Sequence, residues 1–223
     1  MKLFDEEEKK QIIRAFYIPV FLLYLIWVIK LIEVLGGISF SNLGIYPRKV
    51  EGMIGILLSP ILHADFNHLV NNSVPLVVLT AAIIYFYRPI ALKVLVLIWL
   101  ITGVCVWLGG RPAYHLGASS VIYGEAAFLF FSGALSRNIP QLAISLLTIF
   151  LYGGMIWGIF PINMKISWES HLFGALTGMA LAFIYAEKLP KPAEKIWDDE
   201  PDDDPYWEVT EEDNKPTSAE KHE

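Results

Sequence analysis

Cysteine is nearly absent from this chain. Cys105 is the only one in 223 residues, so no internal disulfide can form. The clustered basic residues of a nucleic-acid footprint are missing as well, which argues against such a partner. No cleavable leader is evident. The charged opening MKLFDEEEKKQIIR runs into the first apolar stretch without a small-residue cleavage site, so that stretch is expected to stay as an anchor. No internal repeat and no pair of broken helices stands out, as would be looked for in a small transporter.

What the chain has in abundance is apolar length. It is 55% hydrophobic, with a mean hydropathy of +0.48, too apolar for helices that each turn one side to water. Apolar runs cover 16–29, 74–86, 94–108, 121–135, 142–160 and 172–185. With weakly polar flanks, most reach the roughly 20 residues that cross a bilayer. Aromatics gather at several ends (Phe16, Tyr17, Tyr85, Phe86, Tyr87, Trp157, Trp168), as interfacial belts do. The expectation is an all-α membrane protein, a six-transmembrane-helix bundle embedded in lipid.

The net charge of −6 hides two regions. Residues 194–223 hold 13 of the 23 acids and only three lysines, leaving 14 basic and 10 acidic residues in the remainder. This divides the chain into an N-terminal segment 1–15, a membrane domain 16–189, and an acidic, disordered tail 190–223. With the N-terminus inside, ten basic residues (Lys2, Lys9, Lys10, Arg14, Arg88, Lys93, Arg137, Lys188, Lys191, Lys195) fall on the cytoplasmic side. Five (Lys30, Arg48, Lys49, Arg111, Lys165) fall outside. The positive-inside rule then puts both termini in the cytoplasm of a multi-pass cell-membrane protein. The outer connection 36–65 is long and partly apolar, suited to lying in the interface and to carrying function.

Polar side chains inside a span are unfavourable by about 2.5–3.5 kcal/mol at the bilayer centre, so they face protein or water. Three groups of them open spans 2, 4 and 6. In HADFNHLVNNS, Asp65 is placed to cap a helix, leaving His68 and Asn72 four residues apart on one face with Asn71 beside them. A zinc site using His63 and His68 is the competing idea. Their five-residue spacing does not stack on a helix, no second ligand cluster is present, and no metal or other cofactor is expected. In LGASSVIYGEAAF, Ser119 and Tyr123 share a helix face, while Ser120 points about a quarter-turn away. In SWESHLFGALTG, Ser167 is placed to cap and Glu169 sits in the first turn. His171, Gly174 and Gly178 then share one face, with the glycines open to close approach by another backbone. Spans 2, 4 and 6 enter from the same side, so the three groups share one depth. A hydroxyl, an imidazole and a His/Asn donor pair are the parts of nucleophilic acyl transfer.

At this point the chain resembles the rhomboid intramembrane serine proteases over almost all of 16–189. HADFNHLVNN resembles that family's H-x-x-x-N element, GASSVIYG its G-x-S-G element, and SHLFGALTG its histidine-plus-glycines element. The resemblance implies a water-filled, outward-open site with a Ser–His dyad and no acid. Its substrates would be transmembrane proteins. By the same resemblance Ser119 corresponds to the nucleophile and His171 to the general base. His68 and Asn72, with the backbone N–H of Ser119, correspond to the oxyanion hole. Tyr123 corresponds to the ring that orients the base, and Gly117 to the turn before the nucleophile.

Serine stands at 120 where the motif has its last glycine, leaving two candidate nucleophiles, of which the four-residue step to Tyr123 favours Ser119. The aromatic–arginine pair of the family's first outer loop has no clear match; YPRKVEG stands there. Glu125 is an intramembrane acid that could hydrogen-bond another span, be neutral or gate access, the structural option ranking first. Two rivals stay open: a catalytically inactive relative that binds transmembrane helices, and a small transporter. The sequence carries no signal of oligomeric state.

Overall fold

The structure is a computed structural model that describes residues 5–136, 138–162 and 166–190. The chain divides into two units, Met1–Pro192 and Ala193–Glu223, and every described residue belongs to the first. The acidic tail expected over 190–223 lies outside the described residues from 191 onward, as do five of the basic residues weighed for topology: Lys2, Arg137, Lys165, Lys191 and Lys195.

Among the described residues seven α-helices follow in order: α1 (Glu6–Gly36), α2 (Gly55–Leu58), α3 (Phe66–Phe86), α4 (Ala91–Gly109), α5 (Ser119–Ser136), α6 (Ile139–Tyr152) and α7 (Trp168–Ile184). No strand occurs among the described residues; a single antiparallel bridge joins Ile45 to His115. Among the described residues four segments are long and apolar enough to cross a membrane: Glu6–Gly36, Phe66–Phe86, Ala91–Gly109 and Ile139–Ile159. The molecule is an all-helical, multi-pass membrane protein.

The helices corresponding to expected spans 4 and 6 are not among those four: α7 is short, at 17 residues, and both carry buried polar side chains for a physical reason. α5 packs against α3, α4, α6 and α7, so its neighbours rather than lipid solvate it. It buries Ser119, Ser120, Glu125 and Ser132 along with Phe128 and Leu129. α7 likewise buries Glu169, Ser170, His171 and Thr177. A helix face that packs on other helices need not be apolar. The peripheral helices show the opposite arrangement. α6 buries Gln141, Ser145 and Thr148 and turns Leu146, Leu147, Phe150 and Leu151 outward. Polar side chains inside and apolar side chains outside is the pattern that lipid requires.

α1 starts at a capping box, with Asp5 accepting from the Glu8 N–H and Glu8 reaching back to the Asp5 N–H. Its 31 residues span about 46 Å at 1.5 Å per residue, well beyond the hydrocarbon. From Glu6 onward the charged opening is therefore continuous with the first span as one helix. Near its far end Lys30 and Glu33 are buried as an ion pair at 3.0 Å. Lys30 Nζ also donates to the carbonyls of His63 and Ala64 at 3.0 and 2.9 Å, which ties α1 to the chain entering α3.

The long connection between α1 and α3 lies against α4. Trp99 Nε1 donates to the Ile56 and Leu57 carbonyls, both at 3.2 Å, and Trp107 Nε1 donates to the Lys49 carbonyl at 2.9 Å. Val50, Met53, Ile54 and Leu57 are left exposed, as a segment lying in the interface requires.

Gly174 and Gly178 set the closest helix contact. A Cβ on Gly174 would collide with the Ser120 carbonyl, and one on Gly178 with the Gly124 carbonyl. The small residues thus let α7 lie backbone-to-backbone on α5, immediately below the first turns of both helices.

Candidate active site

Each polar group is carried to the site by a helix start. Asp65 caps α3, its carboxylate accepting from the His68 N–H at 2.8 Å, so His68 and Asn72 project from the first two turns. Ser119 is the first residue of α5, which makes its backbone N–H one of that helix's orphan donors. His171 is the fourth residue of α7. These groups meet at a cavity of about 570 Å³ lined by residues that include His68, Asn71, Asn72, Ser119, Tyr123, Tyr152, Met155 and His171.

Ser119 Oγ lies 2.9 Å from His171 Nε2. The other ring nitrogen, Nδ1, is 3.0 Å from the Gly158 carbonyl. A carbonyl only accepts, so Nδ1 carries the proton, leaving the Nε2 lone pair to accept from the Ser119 hydroxyl. Tyr123 stacks on the imidazole with centroids 4.1 Å apart and planes 5° from parallel. Its hydroxyl donates to the Met155 carbonyl at 2.7 Å. A ring face and a backbone carbonyl therefore hold the histidine, with no carboxylate on either nitrogen.

Gly117 has φ +109°, a conformation that disfavours any side chain, and a Cβ there would run into the His68 ring and approach Asn72 Nδ2. The turn before Ser119 thus lies directly against the His68/Asn72 pair. Asn72 Nδ2 also contacts His63 Nε2 at 3.1 Å. His63 packs edge-on to His68 with centroids 5.2 Å apart. The two histidines weighed as a zinc pair are thus packed against each other, and among the described residues no group of three or more His, Cys, Asp or Glu is arranged to hold a metal. Burial, reinforced by the nearby His68, holds the His63 pKa down at about 3, so the ring is neutral; Asn72 Nδ2 only donates, which makes His63 Nε2 the acceptor of one of its N–H groups.

Ser120 is buried and is not among the cavity's lining residues; its carbonyl is the atom against Gly174. Glu125 accepts a 2.6 Å hydrogen bond from Thr80 of α3, the interhelical bond expected of it. Ser167 departs from expectation. It stands at the N-cap of α7 but makes no side-chain cap bond, because its hydroxyl engages His115 and Ser170 instead. Glu169 faces Arg111, with Oε1 3.7 Å from Nε.

Sequence reasoning missed Gly158, Met155 and His115. The first two act through backbone carbonyls, which every residue has, so their identity carries no signal. His115 adjoins the GASS motif, and its position next to that turn was the available clue.

A rhomboid domain model matches residues 50–188. Curated proteins of the genus Mycobacterium align over 169 residues at 33% identity. The uncharacterized protein Rv1337 of Mycobacterium tuberculosis and the uncharacterized protein Mb1372 of Mycobacterium bovis are covered over 70% of their length, against 72% of this chain. The uncharacterized protein ML1171 of Mycobacterium leprae is covered over 67% of its length, again against 72% of this chain. A domain match over more than half the chain, on an all-helical membrane scaffold, makes this protein a member of the rhomboid family, a family of the intramembrane-protease type.

Proposed function

We propose that the chain is an intramembrane serine endopeptidase that hydrolyses peptide bonds of transmembrane protein substrates. The single observation that carries this reading is the 2.9 Å approach of Ser119 Oγ to an imidazole nitrogen whose tautomer is set by the Gly158 carbonyl, at the wall of a cavity of about 570 Å³. In this reading His171 Nε2 takes the hydroxyl proton as Ser119 attacks the scissile carbonyl. His68, Asn72 and the Ser119 N–H stabilise the oxyanion, and His171 returns the proton to the leaving amine. Water then attacks the acyl-enzyme by the same route in reverse. Tyr123 keeps the ring in plane, and Gly117 lets the turn close on the donor pair. The carboxylate of a serine-protease triad is replaced by a ring stack and a carbonyl.

The same reading takes α1, α3, α4, α5, α6 and α7 as six spans. Both termini lie in the cytoplasm of a cell membrane and the cavity opens outward. The N-terminal segment 1–15, the membrane domain 16–189 and the tail 190–223 remain its parts. The substrate segment must unwind locally, because a peptide bond within a regular helix is shielded by its own turn. An inactive helix-binding relative would not need a serine and a histidine held at hydrogen-bond distance.

The test is covalent labelling of the purified protein by a fluorophosphonate, with cleavage of a transmembrane reporter measured in parallel. Wild type and Ser120→Ala are expected to label and cleave; Ser119→Ala and His171→Ala are expected to do neither. Proteolysis by purified Ser119→Ala at the wild-type rate would remove the assignment.

A further inference from the structure

The dyad bridges two helices, so something must fix the first turn of α5 relative to the first turn of α7. Below the dyad this is done by Gly174 and Gly178 against the carbonyls of Ser120 and Gly124. On the other side of the dyad, at the N-terminal end of α7 and lining the same cavity, stands a second cluster that the dyad mechanism does not use. His115 is 2% exposed and sits in the loop that ends at Gly117. Its Nε2 is 3.1 Å from the Arg111 carbonyl. That carbonyl only accepts, so Nε2 carries the proton and Nδ1 is an acceptor. Nδ1 faces two hydroxyls from the start of α7. The Ser167 hydroxyl is in close hydrogen bond with it, and Ser170 Oγ is 3.3 Å away. The two serines are themselves paired at 2.7 Å. Burial lowers the His115 pKa, which keeps the ring neutral and its acceptor available.

Ser167 shows that this contact takes precedence over local helix stability. It occupies a cap position where a serine hydroxyl ordinarily accepts from a backbone N–H of the first turn, yet its hydroxyl engages the side chains of His115 and Ser170 instead. A local rule broken at one point, beside a functional site, marks a gain elsewhere. The loop is fixed on its other side as well. His115 pairs with Ile45 through both backbone groups, at 2.9 and 3.1 Å, and the Gly117 N–H donates to the Ser59 carbonyl at 2.9 Å.

We infer that His115 is a positioning residue, a latch that holds the Ser167–Ser170 turn against the loop bearing the nucleophile and so sets the Ser119–His171 distance from the outer side. His115 is two residues from Gly117 and Ser170 is adjacent to His171, so slippage at the latch transfers directly to the dyad. The inference rests on the hydrolase reading. It predicts a defect in the chemical step and in the intrinsic reactivity of Ser119, with substrate binding intact.

The experiment uses the full chain in lipid and reads the fluorophosphonate labelling rate, kcat, KM and the thermal midpoint. His115→Ala is expected to lower kcat and the labelling rate by at least about tenfold, since misplacements on the order of 1 Å have effects of that size or larger, while KM stays within about twofold. His115→Asn, whose amide oxygen can take the place of Nδ1, should recover most of the loss. Ser167→Ala should match His115→Ala, and the double variant should be no worse than either single change, as for two halves of one contact. Where His115→Ala does not fold, His115→Asn and Ser167→Ala decide. Labelling of His115→Ala or Ser167→Ala at the wild-type rate overturns the latch and leaves the hydrolase reading standing. So does a loss that merely tracks the thermal midpoint and that His115→Asn does not recover. A wild-type protein that fails to label at Ser119 removes both.

Discussion

Gly174→Ala tests the link between packing and chemistry most directly. Gly174 lies one turn beyond His171 on the same face of α7, against the residue that follows the nucleophile. A Cβ there would sit 3.1 Å from the Ser120 carbonyl carbon and still closer to its oxygen. Unstrained carbon–oxygen contacts of this kind run at about 3.3–3.6 Å, and the obstacle is backbone, which cannot rotate away. Relief therefore requires α7 to retreat from α5 by on the order of 1 Å, and His171 moves with it. The 2.9 Å hydrogen bond to Ser119 then stretches well beyond the roughly 3.2 Å limit of a good N···O contact. A displacement of about 1 Å can lower a rate by about 10²-fold, and overpacking of this kind destabilises by about 1–3 kcal/mol. The assay is reporter cleavage and fluorophosphonate labelling against a thermal or denaturant midpoint in one lipid system. Gly154→Ala is the control, because nothing lies within 4 Å of a Cβ added there. Wild-type labelling and stability in Gly174→Ala would refute the reasoning that close backbone contact sets the dyad.

Further outcomes follow from the same geometry. Asn72→Ala should lower kcat by about 10²–10³-fold with the protein still folded, as loss of one oxyanion donor does; an unchanged kcat would take Asn72 out of that role. The depressed pKa of His63, about 3, means the unfolded chain binds a proton there between roughly pH 6.5 and pH 3 that the folded chain does not. Stability should therefore fall as pH drops through that window. A His63→Gln variant should show a slope shallower by up to about 1.4 kcal/mol per pH unit, read from denaturant midpoints across the range, and an identical slope would contradict the burial of a neutral ring.

Much of this protein was written along the chain. Apolar runs of bilayer length imposed membrane-spanning helices, because backbone groups in hydrocarbon must bond within their own segment. The four-residue steps from His68 to Asn72 and from Ser119 to Tyr123, and the His171, Gly174 and Gly178 face, are fixed by helical periodicity alone. Asp65 as a cap and Glu125 as an interhelical acid were legible for equally local reasons. The tertiary structure decided what depends on contacts distant in sequence. It made α5 an interior helix and gave α7 a packed face, so that both tolerate polar side chains, gave the histidine a carbonyl from Gly158 in place of an acid, and turned Ser167 from a cap into a partner of His115. Those outcomes rest on backbone atoms and on which helix lies beside which. Side-chain spacing fixes the face a residue presents, whereas the group that meets that face is set only when the helices pack.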